Sequence, residues 1–183
     1  PGPDPDAPRS TSYAAATRLP ETAAPSMKNR SWTLAARIRT DGAKTSGVIM
    51  AIGGVSGGMK LYLTDGLPVF DYNYYGEHTV VKAAQALAAG EATVGVEFGY
   101  EGGGLGKGAG LVLKVDGKQV GEGRMKATVF ARFGVDTFGI GEDTGQPVTT
   151  DYEPPFRFTG TIDRVDIELA PLELSPEEHQ TVH

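Results

Sequence analysis

The stretch FRFTGTIDRVDIELAPLELSPEE, residues 156–178, holds a long strand pattern followed by a capped helix start, and no residue pair suited to catalysis. Phe156, Phe158, Gly160 and Ile162 keep one phase of the two-residue strand period, whereas Val165, Ile167 and Leu169 keep the other. The inward face therefore slips by one residue, and a β-bulge at Asp163 and Arg164 is expected to absorb the slip. Beyond Pro171, the run Leu174-Ser175-Pro176-Glu177-Glu178 reads as a helix N-terminus, with Ser175 as N-cap, Pro176 at the first helical position and Glu178 completing a capping box. Such a segment closes a β-sandwich and marks the edge of its domain.

Upstream, the 183 residues carry 26 Gly, 12 Pro and 39% hydrophobic residues in short pieces, which favours many strands joined by tight turns. The length suits one domain with a core large enough to need no disulfide or metal staple. A formal charge of -6, with 17 Lys and Arg in no cluster, argues against a surface that tracks nucleic-acid phosphates. No apolar run approaches the roughly 18 residues of a membrane helix, so neither nucleic acid nor membrane is an expected partner. With 0 Cys the redox compartment is unreadable.

Residues 1–12, PGPDPDAPRSTS, are expected to be a disordered tail or linker, residues 13–170 the sandwich, and 171–183 a C-terminal tail with a short helix start. Tyr13 to Met27 reads as an extended lead-in lying on the domain. Strand patterns follow at Trp32–Arg39, Gly47–Ile52, Met59–Thr64, Leu67–Tyr75, His78–Ala83, Val94–Tyr100, Leu111–Val115, Gln119–Met125, Thr137–Gly141 and Arg157–Leu169. Asp65-Gly66 and Asp116-Gly117 carry hairpin turn chemistry. Phe70, Tyr72 and Tyr74 share one face, opposite Asp71, Asn73 and Tyr75. The expected fold is all-β, a two-sheet antiparallel β-sandwich (jelly roll) of about eleven strands spaced roughly 8–12 residues apart.

Several motifs look chemical and dissolve on inspection. Gly54-Val55-Ser56-Gly57-Gly58 fits a nucleophile elbow, but it joins two strands and no helix follows. The glycine-dense stretch 102–110 around Lys107 fits neither phosphate-binding pattern and reads as a mobile hairpin loop. Glu97 and Glu101 flank Gly99 where a glycosidase of this architecture would place a middle acid. Residues four apart on a strand are about 13 Å apart, against the roughly 5–5.5 Å that retaining hydrolysis needs. Asn29-Arg30-Ser31 is a glycosylation triplet of a kind that arises readily by chance.

Two candidate sites survive. The loop 142–155, with Glu142, Asp143, Asp151 and Tyr152, is a candidate interdomain or substrate-entrance loop. Asp136, Glu142 and Asp143 are its weak candidates for metal ligands, since a rim loop can gather oxygens for calcium. Asp71, Asn73, Tyr74 and Tyr75 are candidate sugar contacts, because tyrosines beside amides and acids suit ring stacking and hydroxyl pairing.

The ending Phe158, Gly160, Ile162, Asp163, Val165, Ile167 resembles the closing strand of laminin G-like, concanavalin A-like sandwiches. More specifically, YAAATRLPETAAPSMKNRSWTLAARI, LYLTDGLPVFDYNYYG, VEFGYEGGGLGKGAGLVLKVDGKQVGEGR and DTFGIGEDTGQPVTTDYEPPFRFTGTID together resemble the C-terminal domain of long bacterial arylsulfatases over residues 13–169. The resemblance implies a soluble bacterial protein, cytoplasmic or exported, whose parent hydrolyses sulfate esters with a formylglycine beside calcium. No serine here begins S-x-P-x-R and there is no Cys, so those cofactors are expected only in a catalytic domain outside this sequence. The fragment itself is expected to hold no cofactor and no catalytic residue. Its implied role is a non-catalytic accessory domain that packs on the catalytic sulfatase domain of the same chain and shapes substrate access. The alternative is an autonomous carbohydrate-binding, lectin-like module, with carbohydrate or a sulfated substrate as partner.

Overall fold

The computed structural model describes residues 7–20, 23–53, 57–130, 137–142 and 157–172. Among the described residues, twelve strands form two six-stranded antiparallel sheets. The first sheet runs β1 (Arg9–Tyr13), β12 (Thr161–Leu169), β3 (Trp32–Thr40), β8 (Gly90–Tyr100), β9 (Ala109–Val115), β10 (Lys118–Met125). The second runs β2 (Arg18–Pro20), β11 (Thr137–Ile140), β4 (Gly47–Gly53), β5 (Gly57–Thr64), β6 (Leu67–Tyr74), β7 (Glu77–Lys82). The short strands β1 and β2 bring the number above the expected eleven.

Alternation sets the core. Trp32, Leu34, Ala36 and Ile38 of β3 and Val94, Val96 and Phe98 of β8 face inward and are buried against Leu61, Leu63, Phe70 and Tyr72 of the second sheet. Trp32 stacks on Phe98 with centroids 4.9 Å apart at 7°, and both reach across the sandwich, Trp32 to Phe70 at 6.1 Å and Phe98 to Tyr72 at 5.9 Å. The pairing of β12 with β3 skips a residue between Ile162 and Arg164, so the bulge lies at Asp163 where the phase slip requires it. Val165, Ile167 and Leu169 are buried beyond it.

Two boundaries need correction. The closing strand begins at Thr161, not Arg157. Ahead of it Arg157 makes only an isolated parallel bridge to Val48, and the next amides are already used: Phe158 donates to Gly141 O at 2.8 Å and Thr159 to Ser46 O at 2.8 Å. The predicted tail 1–12 yields residues 9–12 to β1, which pairs with β12 from Arg9↔Leu169 to Tyr13↔Val165. An edge strand pairs on one side only and tolerates a polar sequence, so RSTSY hides its strand character. Tyr13 anchors it on Phe138, ring centroids 5.0 Å apart. The lead-in then crosses to the other sheet as β2. The capped start at Ser175 lies outside the described residues.

Three two-residue turns build hairpins: Asp65-Gly66, Tyr75-Gly76 and Asp116-Gly117, each with positive φ at both positions. The sheets also approach at one open side, where Val81 of β7 sits against Gly121 and Gly123 of β10; a Cβ at either glycine would stand 2.7 and 2.8 Å from Val81 methyl carbons. Gly47 is tighter still. A Cβ there would fall 2.1 Å from Arg157 O, and its φ of +118° is one that side chains rarely adopt.

Gly47→Ala is therefore expected to cost roughly 2–4 kcal/mol in urea unfolding; a change within experimental error would refute the close approach. A pH effect is expected at β1. The Ser12 hydroxyl, and after it Arg164, hold the Asp166 carboxyl below its ordinary value of 3.8. A lowered folded-state pKa stabilises above the ordinary value and is lost as the pH falls through the lowered one. Protection of the β1 amides, taken relative to the intrinsic exchange rate at each pH, should fall on acidification below about pH 4, and Asp166→Asn should remove that pH dependence.

Candidate functional site

The central strands β4, β5 and β6 of the second sheet are buried on both faces. Opposite the core, Val48, Ala51, Tyr62 and Val69 form a small apolar cluster, and beside it lie Lys60, Asp71 and Asn73, all buried. Register places Ala51, Lys60 and Asp71 in one cross-strand row and Asn73 opposite His78. The Lys60 ammonium stands 3.7 Å from the Tyr62 ring centroid. Asp71 Oδ1 lies 2.8 Å from His78 Nδ1. An ionised carboxylate can only accept, so in this pairing His78 Nδ1 carries the proton. Asn73 Oδ1 accepts from the Gly76 amide at 2.7 Å and shapes the turn after β6.

The four predicted sugar contacts thus divide. Asp71 and Asn73 are buried supports, not solvent-facing groups. Tyr74 and Tyr75 stand at the tip, ring centroids 4.8 Å apart at 63°. Tyr75 lies in the turn and not on the strand, at φ +49°, and is 54% exposed. The equivalent position of the other two hairpins holds Asp65 and Asp116. Beside the tip is a crevice of about 240 Å³ between the edges of the two sheets, lined by Tyr74, Glu77, His78, Thr79, Arg124 and Lys126 among others. Sequence reasoning passed over His78, although its place opposite Asn73 follows from the hairpin register.

At the other edge of the second sheet, Glu142 accepts from Arg18 Nη2 at 2.8 Å and Arg157 Nε at 3.0 Å. The rest of the loop 142–155, with Asp143, Asp151 and Tyr152, lies outside the described residues, as does Asp136. Among the described residues no group of three or more His, Asp or Glu could hold a metal ion. Glu142, the one described member of the predicted calcium set, is committed to two guanidinium groups.

The glycine-dense loop is pinned, contrary to the expectation of mobility. Gly106 N donates to Asn29 Oδ1 at 2.9 Å, Lys107 N to the Tyr100 hydroxyl at 2.9 Å, and the Thr128 hydroxyl to Lys107 O at 2.7 Å. The Tyr100 hydroxyl donates in turn to Gly104 O. Asn29 gives its other end to Phe130 O at 3.1 Å and is buried, so the glycosylation triplet is a structural bracket. Glu97 pairs with Lys114 at 2.8 Å and Glu101 with Arg124 at 2.7 Å, as surface ion pairs. Tyr72, its phenol pushed up by burial, accepts from Val129 N at 2.9 Å.

No protein-family model matches this chain and no curated protein matches it. Solved structures do. The carbohydrate-binding module CBM40 of a Ruminococcus gnavus IT-sialidase superposes with a TM-score of 0.55 at 17% identity, over 93% of this chain and 95% of that one. Domains LG4-5 of the mouse laminin alpha1 chain give 0.50 at 19% identity, over 89% of this chain and 43% of theirs. Domain 4 of an extracellular arabinanase from Geobacillus stearothermophilus, in complex with arabinotriose, gives 0.50 at 11% identity, over 90% and 69%. At such identities the likeness fixes the architecture, a laminin G-like antiparallel sandwich. Nothing in it supports the sulfatase parent that the sequence resemblance implies. No described helix is long and apolar enough to cross a membrane.

The Asn29 bracket is open to test. Asn29→Ala leaves the Gly106 amide and Phe130 carbonyl without that partner, an expected loss of about 1–3 kcal/mol. Faster amide exchange at Gly106 and Lys107 would accompany it; unchanged exchange there would refute the pinning.

Proposed function

We propose that this domain is a carbohydrate-binding module whose contact surface is the β6–β7 tip with the adjoining crevice. The observation that carries the reading is Tyr75. A bulky aromatic residue in the left-handed conformation costs of order 1 kcal/mol, and such strain gathers at ligand contacts. Here it holds a ring out in solvent beside Tyr74, at a position where the other hairpins use Asp. A sugar presents an apolar ring face and a rim of hydroxyls. The tyrosines supply the stacking surface, while His78, Glu77 and Lys126 supply hydrogen-bonding groups around a volume that suits one or two sugar rings. The Ruminococcus module is seen bound to α2,3 and α2,6 sialyllactose. That gives the reading a precedent in architecture.

Packing against a sulfatase catalytic domain of the same chain finds no such observation. The loop expected to carry it lies, past Glu142, outside the described residues.

Titration of the 183-residue chain with neutral and acidic oligosaccharides, followed by NMR and calorimetry, tests the proposal. Saturable binding is expected, with shifts at Tyr75, Gly76 and His78. Tyr75→Asn relieves the strain and should raise stability by about 0.5–1 kcal/mol. The same substitution should weaken binding about tenfold. Silence across both glycan classes, or a Tyr75→Asn variant that binds as well as the parent, would sink it, and turnover of an aryl sulfate would show that the chain is an enzyme after all.

A further inference from the structure

The edge of the second sheet farthest from the tyrosine tip carries a different kind of hollow. It is open, about 300 Å³, and its walls are Ala15, Ala16, Ile140, Phe158 and Ile162, with Glu142 and Arg157 at its mouth. Gly141 lies between the walls at φ +90°, and a Cβ there would stand 3.7 Å from Ile162 Cδ1 and 3.8 Å from Ala16 N, so the glycine keeps the space clear.

Among the described residues the charges at the mouth do not pair one to one. Arg39–Glu91, Lys114–Glu97, Arg124–Glu101 and Arg164–Asp166 each match one cation to one carboxylate. Among the described residues Glu142 serves two arginines, one cation more than it can match, on a chain of formal charge -6. Arg18 engages it through Nη2 alone and Arg157 through Nε alone. Among the described residues the remaining guanidinium nitrogens are given no further ion-pair partner, and the side chains are 59% and 76% exposed. Guanidinium donors match an oxyanion in pairs. The carboxylate also holds both long side chains in place, which lowers the rotamer entropy that a ligand would otherwise have to overcome.

Three of the lining amides are already committed. Ala16 N donates to Ile140 O at 3.0 Å, Gly141 N to Ile49 O at 2.9 Å and Phe158 N to Gly141 O at 2.8 Å. Among the described residues, the side-chain donors at the mouth are the Arg157 guanidinium and, across Glu142, that of Arg18, and the walls behind them are mostly apolar. We infer that Arg18 and Arg157, held by Glu142, form a receptor for an oxyanion carried on a small ring, the chemistry of a uronic acid or a sulfated sugar. This subsite is separate from the tyrosine tip and stands or falls independently of it.

NMR titrations at constant ionic strength, read at the Gly141 and Gly160 amides and the arginine Nε–H signals, provide the test. The probes are inorganic sulfate, methyl glucuronide, glucose 6-sulfate and, as neutral control, glucose. Saturable shifts are expected with at least one sugar acid and not with glucose; comparing the two acids identifies the favoured oxyanion. Arg18→Gln and Arg157→Gln should each weaken binding at least fivefold, with otherwise unchanged spectra showing that the fold is intact. Glu142→Gln removes the competing charge and should tighten binding of sulfate several-fold, which a purely structural ion pair would not do. Tyr75→Asn should leave these shifts in place, so failure at the tip and failure here are read separately. Equal shifts with glucose, full affinity in both arginine variants, or binding of inorganic sulfate with neither sugar acid would overturn the assignment.

Discussion

Four rings carry the contact around which this sandwich is arranged: Trp32 and Phe98 from the first sheet, Phe70 and Tyr72 from the second. Neither sheet could bury its apolar face alone, and flat rings laid between them fill the space from both sides. The contact also reaches beyond the core. Tyr72 turns its hydroxyl to Val129, which fixes the segment after β10, and that segment in turn holds the glycine loop through Thr128. The arrangement has a cost, since Trp32 Nε1 is buried with no hydrogen-bond partner among the described residues.

The two proposed surfaces lie away from this core. At one edge of the second sheet a strained tyrosine is held in solvent by a turn whose shape Asn73 enforces. At the other, two arginines from distant parts of the chain meet on one carboxylate. The strands between the two edges are buried on both faces, and a buried row runs from Ala51 through Lys60 to Asp71 across the sheet that links them.

Much of the fold was legible because strand periodicity is local. The phase slip in the closing strand located the bulge at Asp163 within one residue, and the Asp-Gly pairs located two hairpins. What escaped was whatever depends on distance in sequence. RSTSY looks like a linker until β12 is beside it. Asp71 and Asn73 look solvated because alternation assigns them to the face opposite the core, and nothing local says that this face is buried too. Arg18, Glu142 and Arg157 carry no shared motif, and only the sheet order brings them together. The tip did leave a signal, Tyr-Gly where the other hairpins have Asp-Gly.

Arg30 is buried beside the start of β3. It donates to Ala170 O at 2.7 Å, to Ala7 O at 3.0 Å and to Ser26 O at 3.4 Å. One guanidinium thus grips the strand leading in at β1 and the strand leading out at β12, at the end of the pair where Arg9 faces Leu169. Tension drawn through those two points would not shear the β1–β12 ladder. It would open it from Arg9↔Leu169 inward, loading one hydrogen bond at a time, because the bonds of an antiparallel pair run across the strands. Arg30 is the latch on that zipper, and the domain's resistance to a pull is set there before any of its core is disturbed.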